Sequence, residues 1–391
     1  MTTGVAAPAW AEHVLQSGAG AVDGATFLPS TPDTVLWGYL PNADSEPVVR
    51  VEPGATVTID TVSHEGLLED QARDPVGWFA GFGVPAASVL HDARDIAASG
   101  IRHDFDDDGP HIVTGPVHVD GAEPGDLLRV EILTLVPRVH YGVISNRHGL
   151  GALPGEFPET VRYPDASVDR PDRYGSVCTF TTVERRHGRD MGLLPYGDGE
   201  VAAFPLAPFL GVMGVARATS EPVPSVPPGD HGGNIDIKLL GEGSTLYLPV
   251  QAPGALFYAG DPHYAQGNGE VALTALEAPL RATVRLSVVP ADRATGILGR
   301  LRRPFAETDT HWIAVGLDID LDEAMKAAVR AAVDFLAMVV GMTRAQALAY
   351  LSAAGDFEVS QVVDAVKGVH CLIRKADFQT SSGHGDERGD A

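Results

Sequence analysis

VTGPVHVDGAEPGDLLRVEILTLV, residues 113–136, carries two apolar-alternating runs separated by a turn rich in Gly, Pro and Asp. Val, Thr, Ile and Leu at every second position put one side-chain face against a core and the other toward water, the pattern of a half-buried strand. Pro124-Gly125-Asp126 between the runs reads as a tight turn. The pattern recurs in VVRVEPGATVTIDTVS (48–63), with its own Pro-Gly turn at 53–54, and in LRATVRLSVV (280–289). Many short strands without long helices among them predict a mainly β protein of β-sandwich or barrel-like architecture.

Two stretches interrupt the strands. One, about 64–112, contains HEGLLED and the acidic DFDDDG; the other, about 140–175, contains SNRHGLGALPGEFPE. Loops of that length in a compact domain serve as lids or binding elements, or are partly disordered. DLDEAMKAAVRAAVDFLAMVVG (320–341) changes texture, with apolar residues at helical spacing, acids early and Gly341 last. TRAQALAYLSAA (343–354) reads as a shorter helix capped by Thr343, and EVSQVVDAVKGVHCLIRKAD (358–377) returns to strand alternation. The expected division is an N-terminal segment 1–46, a β-rich catalytic core 47–318, a helical hairpin 319–356, returning strands 357–378 and a disordered tail 379–391.

The composition narrows the function. The 391 residues carry 28 Lys plus Arg against 52 Asp plus Glu, a formal charge of −24. That balance opposes nucleic acid and anionic membranes, which need cationic surface, and suits a neutral or cationic small molecule. Two cysteines, Cys178 and Cys371, form no disulfide framework, and both sit in apolar strand-like runs that read as core. MTTGVAAPAWAEHVLQSG (1–18) lacks the basic and apolar regions of a signal peptide, so a cytoplasmic location is expected.

The stretch 229–277, GDHGGNIDIKLLGEGSTLYLPVQAPGALFYAGDPHYAQGNGEVALTALE, concentrates chemistry-bearing residues in loops between strand-like segments. One loop offers His231, Asn234 and Asp236; the next offers Asp261, His263, Gln266 and Glu270. Imidazole mixed with carboxylate suits a borderline divalent cation, zinc foremost and calcium as the alternative. Such an ion lowers the pKa of a bound water, and a nearby carboxylate can take its proton. The bland reading of the same residues is a set of solvated turns, since no HExxH-type signature is present. His148 in SNRHG reads as a loop residue, and DFDDDG lacks the spacing of an EF-hand loop.

GDHGGNID, STLYLPV, PGALF and GDPHYAQGNGEV resemble the signature core of the acetamidase/formamidase family. GPVHVDGAEPGDLLRVEI (115–132), AFPLAPFLGVMGVA (203–216) and LSAAGDFEVSQVVDAVKGV (351–369) are similar to further family segments in the same order, so the resemblance spans roughly 48–374. It implies hydrolysis of a small neutral amide to a carboxylic acid and ammonia, a bound divalent metal, a mainly β fold and a homo-oligomer, dimer or higher. By motif, Asp236, Asp261 and His263 are the implied metal or substrate contacts, with His64 and His231 as further ligand candidates. Glu270 is the implied base and Glu123 in GAEPGD a second candidate carboxylate. Gly232, Gly233, Asn234 and Gln266 are the candidates for substrate or oxyanion contacts. Two positions depart from the family pattern: Asn268 replaces an acid before the closing Gly-Glu, and SHEG (63–66) stands where an Asp-containing turn is expected, so that His64 or Glu65 would take that role. A lactam, carbamate or other substituted amide is the alternative substrate, and a non-catalytic metal- or ligand-binding β protein is the alternative class.

Overall fold

The computed structural model describes residues 13–159, 162–291 and 301–378. The tail 379–391 and most of the leading segment 1–18 lie outside the described residues. The chain folds into two large sheets and a two-stranded pair. Leu127–Pro137, Leu280–Val289 and Ala55–Asp60 lie side by side in a nine-stranded sheet. Ile112–Val119, Phe257–Ala265 and Phe209–Gly214 lie side by side in the eleven-stranded one.

The alternating runs therefore form strands, but their turns do a different job from hairpin closure. The Pro-Gly turn at 53–54 carries the chain from Val49–Val51 in one sheet to Ala55–Asp60 in the other. The GAEPGD turn does the same between Ile112–Val119 and Leu127–Pro137. Each crossing presents the apolar face of its strand to the opposite layer, as a sandwich requires. Val57, Ile59, Val130, Leu248 and Val284 of one sheet pack with Val117, Leu210, Met213, Phe257 and Ala259 of the other in a single buried core. Neither sheet closes into a barrel among the described residues.

The 64–112 stretch is more ordered than a loop. Residues Pro75–Ala80 and His91–Ala98 are short helices, packed through Phe79, Ala93 and Ile96 on Tyr141 and Val143. Asp74 accepts a 2.9 Å hydrogen bond from the Gly77 amide at the start of the first. Both segments are too short to show a full helical repeat, so their periodicity is lost in the sequence. The C-terminal helices form where the spacing predicts them. Asp320 caps Leu321–Phe335, and Thr343 closes a capping box with Gln346 at the head of Arg344–Ala354. The returning run forms two antiparallel strands, Asp356–Gln361 and Lys367–Arg374, that extend the nine-stranded sheet. No helix among the described residues is long and apolar enough to cross a membrane.

Candidate metal centre and active site

Five other parts of the chain meet the Phe257–Ala265 strand. Asp261 and His263 belong to that strand, two residues apart and so on one face. Glu277, in the short strand Leu276–Glu277, pairs directly opposite His263. Asp236 follows Gly232–Asn234, and His64 follows Ala55–Asp60. Glu270 comes from the turn after the central strand, and Asp364 from the turn between the last two strands. All are buried.

The contacts are close. His263 Nε2 lies 2.9 Å from Glu277 Oε1 and 3.1 Å from Asp261 Oδ2, while its Nδ1 is 3.2 Å from Gln266 Oε1. His64 Nδ1 is 3.8 Å from Asp261 Oδ1 on the other side. His111 Nε2 approaches Asp261 Oδ2 at 3.9 Å, its Nδ1 resting 3.0 Å from the Ser225 hydroxyl. Asp236, Asp261 and Glu270 all adopt left-handed backbone, with φ of 46°, 51° and 47°. Such conformations cost energy in residues with a side chain and persist where the surrounding structure enforces them, which is commonest at functional sites.

Gly211 forms the floor beneath these side chains. A Cβ there would stand 2.5 Å from Asp236 Oδ1, 2.6 Å from Asp261 Oδ2 and 2.7 Å from the His263 ring. The strand Phe209–Gly214 thus leaves a notch of one methyl group under the two carboxylates.

Burial and mutual charge hold the carboxyls of the cluster away from their ordinary ionisation. Burial pushes the Asp236 carboxyl far above its usual range, and the charges of Glu270 and Asp364 add to it. Burial likewise raises Glu270 and Glu277, and lifts Asp364 to about 8. For Asp261 burial acts upward but is outweighed by His263, His111 and His64, which hold it well below the carboxylate range. Burial alone would depress His263, but Glu277 and Asp261 raise it well above the ordinary value. Burial holds His111 down to about 4. Both oxygens of Asp236, one of Asp261 (Oδ1) and one of Asp364 (Oδ2) are buried without a hydrogen-bond donor. Orphaned acceptors of this kind are costly, and a divalent cation satisfies them at once.

The residues fit such an ion. His64, Asp261 and Glu277 can each place a ligand atom within 4.8 Å of the others, and so can Asp236, Asp261 and His263. The trios His263–Glu270–Glu277 and Asp236–Glu270–Asp364 meet the same distance. Oxygen mixed with imidazole nitrogen is the donor set of zinc and related borderline ions.

Several sequence expectations are corrected here. Glu123 lies exposed in the inter-sheet turn, its amide donating to Asp126, and does not reach the cluster. His231 is buried beside Gly229 and Gly233 and does not line the cavity that the cluster opens into; burial holds it down to about 4. The Gly232 amide donates to the Gly229 carbonyl and Gly233 pairs with Met213 in the sheet, so neither glycine lines the cavity. The Gln266 amide nitrogen donates to the Asp236 and Ser360 carbonyls at 3.0 and 3.1 Å, which makes Gln266 a brace rather than an oxyanion donor. Asn268 donates to Glu358, and its side chain is absent from the cavity lining. Of the SHEG pair it is His64 that faces the cluster. Glu65 is turned away to Gln71, Ser145 (2.5 Å) and Arg147 (3.1 Å).

His111, Glu277 and Asp364 join the site without having been singled out. Glu277 carried a legible signal, an acid between Leu276 and Ala278 inside a core strand. Asp364 carried none, because the final hairpin reaches the site only through its pairing. The Gly269 amide donates to the Ser360 carbonyl at 3.0 Å, and Gln361 Oε1 accepts from the Val363 and Asp364 amides. Cys178 lies half-buried in the strand Val177–Arg186, and burial raises its thiol to about 12, too high for a nucleophile at neutral pH.

The cluster forms the foot of a cavity of about 200 Å³. Residues 92–218 and 200–374 match the model of the Acetamidase/Formamidase family. An acetamidase of Mycolicibacterium smegmatis is 28% identical over 200 residues, covering 41% of this chain and 49% of that enzyme. A formamidase of Methylophilus methylotrophus is 32% identical over 193 residues, covering 41% of this chain and 47% of the other. The chain thus spans about half the length of these relatives. The crystal structure of an acetamidase from Bacillus halodurans superposes with a TM-score of 0.66 at 26% identity, covering 90% of this chain and 98% of that one.

Proposed function

Because this chain belongs to the Acetamidase/Formamidase family, we propose that it is a metal-dependent amidohydrolase that cleaves the C–N bond of a small amide. The observation that carries the reading is the buried cluster of five carboxylates, Asp236, Asp261, Glu270, Glu277 and Asp364, with His64 and His263 at the foot of a cavity.

His64, Asp261 and Glu277 on one side, and Asp236, Asp261 and His263 on the other, are the residues that would hold a divalent ion, zinc being the first choice. When bound, that ion supplies Lewis acidity toward the carbonyl oxygen and acidifies water. The protein's own groups do the rest. Glu270 lines the cavity and takes a proton from water as its oxygen adds to the carbonyl carbon. The proton passes from the Glu270 carboxyl to the amide nitrogen as the C–N bond breaks, leaving a carboxylic acid and ammonia. Asn234 accepts an N–H of the substrate amide at Oδ1, since its Nδ2 already donates to Val226 at 3.1 Å. Gln266 keeps His263 and the Asp236 backbone in place. The homo-oligomer implied by the sequence resemblance is part of the same proposal.

Replacing Glu270 by Gln tests the assignment. Ammonia release from formamide and acetamide should fall by about 10²–10⁴-fold, the range removed with a general base, while bound metal per chain stays at the wild-type level. Full turnover by Glu270→Gln would remove it from the mechanism.

A further inference from the structure

The cavity above the cluster is lined by apolar side chains as well as by the carboxylates and histidines assigned to the chemistry. About 200 Å³ is room for several waters, each occupying roughly 30 Å³ of liquid. Formamide or acetamide would leave much of that space unfilled. Beyond the cluster, much of the lining is apolar, from Leu68, Phe105, Leu150, Val226, Leu273 and Val363. Phe105, Val226, Leu273 and Val363 are half-buried and Leu150 is exposed, so these side chains keep apolar surface facing the opening.

Those walls are built rather than incidental. Phe105 packs edge-on to Tyr174 at 4.6 Å, and Arg162 lies over the same Tyr174 ring while donating to Asp106 at 2.7 Å. The two long segments of the chain are thus tied to each other across the rim. Behind Phe105, His103 is held by Glu69 at 3.0 Å and by the Gly109 carbonyl at 2.9 Å. Leu273 adopts φ +116°, a region that favours glycine, and yet presents a leucine side chain to the cavity. A glycine would relieve that strain; the leucine is worth its cost only if its side chain is used.

The charge of the lining sets a second limit. Asp106 and Asp108 stand at the rim above the carboxylates of the cluster. Arg147, the cation in the same lining, is already engaged at its guanidinium by Asp70 (2.8 Å), Ser145 (2.5 Å) and Glu65 (3.1 Å). An anionic substituent would meet acids and find no free cation among the described lining residues.

We infer that the site selects carboxamides whose acyl group is larger than that of acetamide, apolar and uncharged, with Phe105, Leu150 and Leu273 as the specificity-determining residues. The inference rests on the amide-hydrolase reading above.

The test compares kcat/KM, by ammonia release from the metal-loaded full chain, for acetamide, butanamide, hexanamide and the monoamide of adipic acid. Preference should climb along the apolar series, with hexanamide at least about tenfold above acetamide, since each methylene in an apolar pocket contributes measurable discrimination. The adipic monoamide should fall below hexanamide. In Leu273→Gly and Phe105→Ala the hexanamide-to-acetamide ratio should drop by about tenfold. Leu273→Gly should do so without loss of thermal stability, which separates loss of the contact from damage to the fold. Acetamide turned over as well as hexanamide, or a ratio unmoved by both variants, overturns the substrate inference and leaves amide hydrolysis standing. No release from any of the four amides overturns both.

Discussion

Gly211 is where the site depends most on a single side chain being absent. The chain passes directly beneath Asp236 and Asp261, and a methyl group would come within 2.6 Å of an oxygen of each. Contact at that distance forces both carboxylates to move. Gly211→Ala should therefore lower bound metal and reduce amide turnover by at least about 100-fold, since shifts of this order at a reacting centre cost that much. The far-UV circular dichroism should stay native. Normal metal content and turnover in this variant would show that the notch is spare room. At this scale the sequence was partly readable: Asp236, Asp261, His263 and Glu270 stood out because carboxylate, imidazole and glycine crowd into short loops. Gly211 was invisible, since nothing in FLGVMG distinguishes a glycine under a cluster of carboxylates from one in an ordinary strand. The oxyanion role expected of Gly232 failed for a related reason, as local spacing cannot tell that its amide already bonds to Gly229.

At the scale of elements, a buried ionic knot ties two neighbouring strands of the nine-stranded sheet to the N-terminal segment. Arg281 on Leu280–Val289 donates to Asp60 on Ala55–Asp60 at 2.6 and 2.9 Å, and also to the carbonyls of Ala19 and Gln16 (3.3 Å). Arg138 reaches Asp92 at 2.7 Å on the helix His91–Ala98 and lies 3.6 Å from Asp60. Asp60, Arg138 and Arg281 are all buried. Removing one partner of such a set strands a charge in the interior, so Asp60→Ala should destabilise the fold by about 3–5 kcal/mol. Urea denaturation reads the change, and Asp60→Ala/Arg281→Met should recover part of it because the stranded guanidinium is gone. A loss below about 1 kcal/mol in the single variant would mean that water reaches the knot, as at exposed pairs. The strands were legible through their period of two and the C-terminal helices through caps and period. The short helices of residues 75–98 were not, because about two turns are too few to declare a repeat. The Asp364 turn escaped notice because its importance comes from long-range pairing with Gly269, which no local pattern records.

For the whole molecule, the two layers explain why the site sits where it does. The eleven-stranded sheet supplies Asp261, His263 and Glu277 from adjoining strands. The crossing from Ala55–Asp60 of the other sheet delivers His64, and the final hairpin of that sheet delivers Asp364. Residues more than 200 positions apart thus converge on one point, which is why the sequence pointed to His64, Asp236, Asp261, His263 and Glu270 and not to His111 and Asp364. The same convergence gathers five buried carboxylates whose mutual repulsion a divalent cation would offset. The most direct test titrates zinc into protein stripped by a chelator and follows ammonia release from acetamide and hexanamide together. Turnover should be absent at the start, rise with added metal and level off at a whole number of ions per chain. Full turnover by the stripped protein, with no metal detectable by mass spectrometry, would contradict the account.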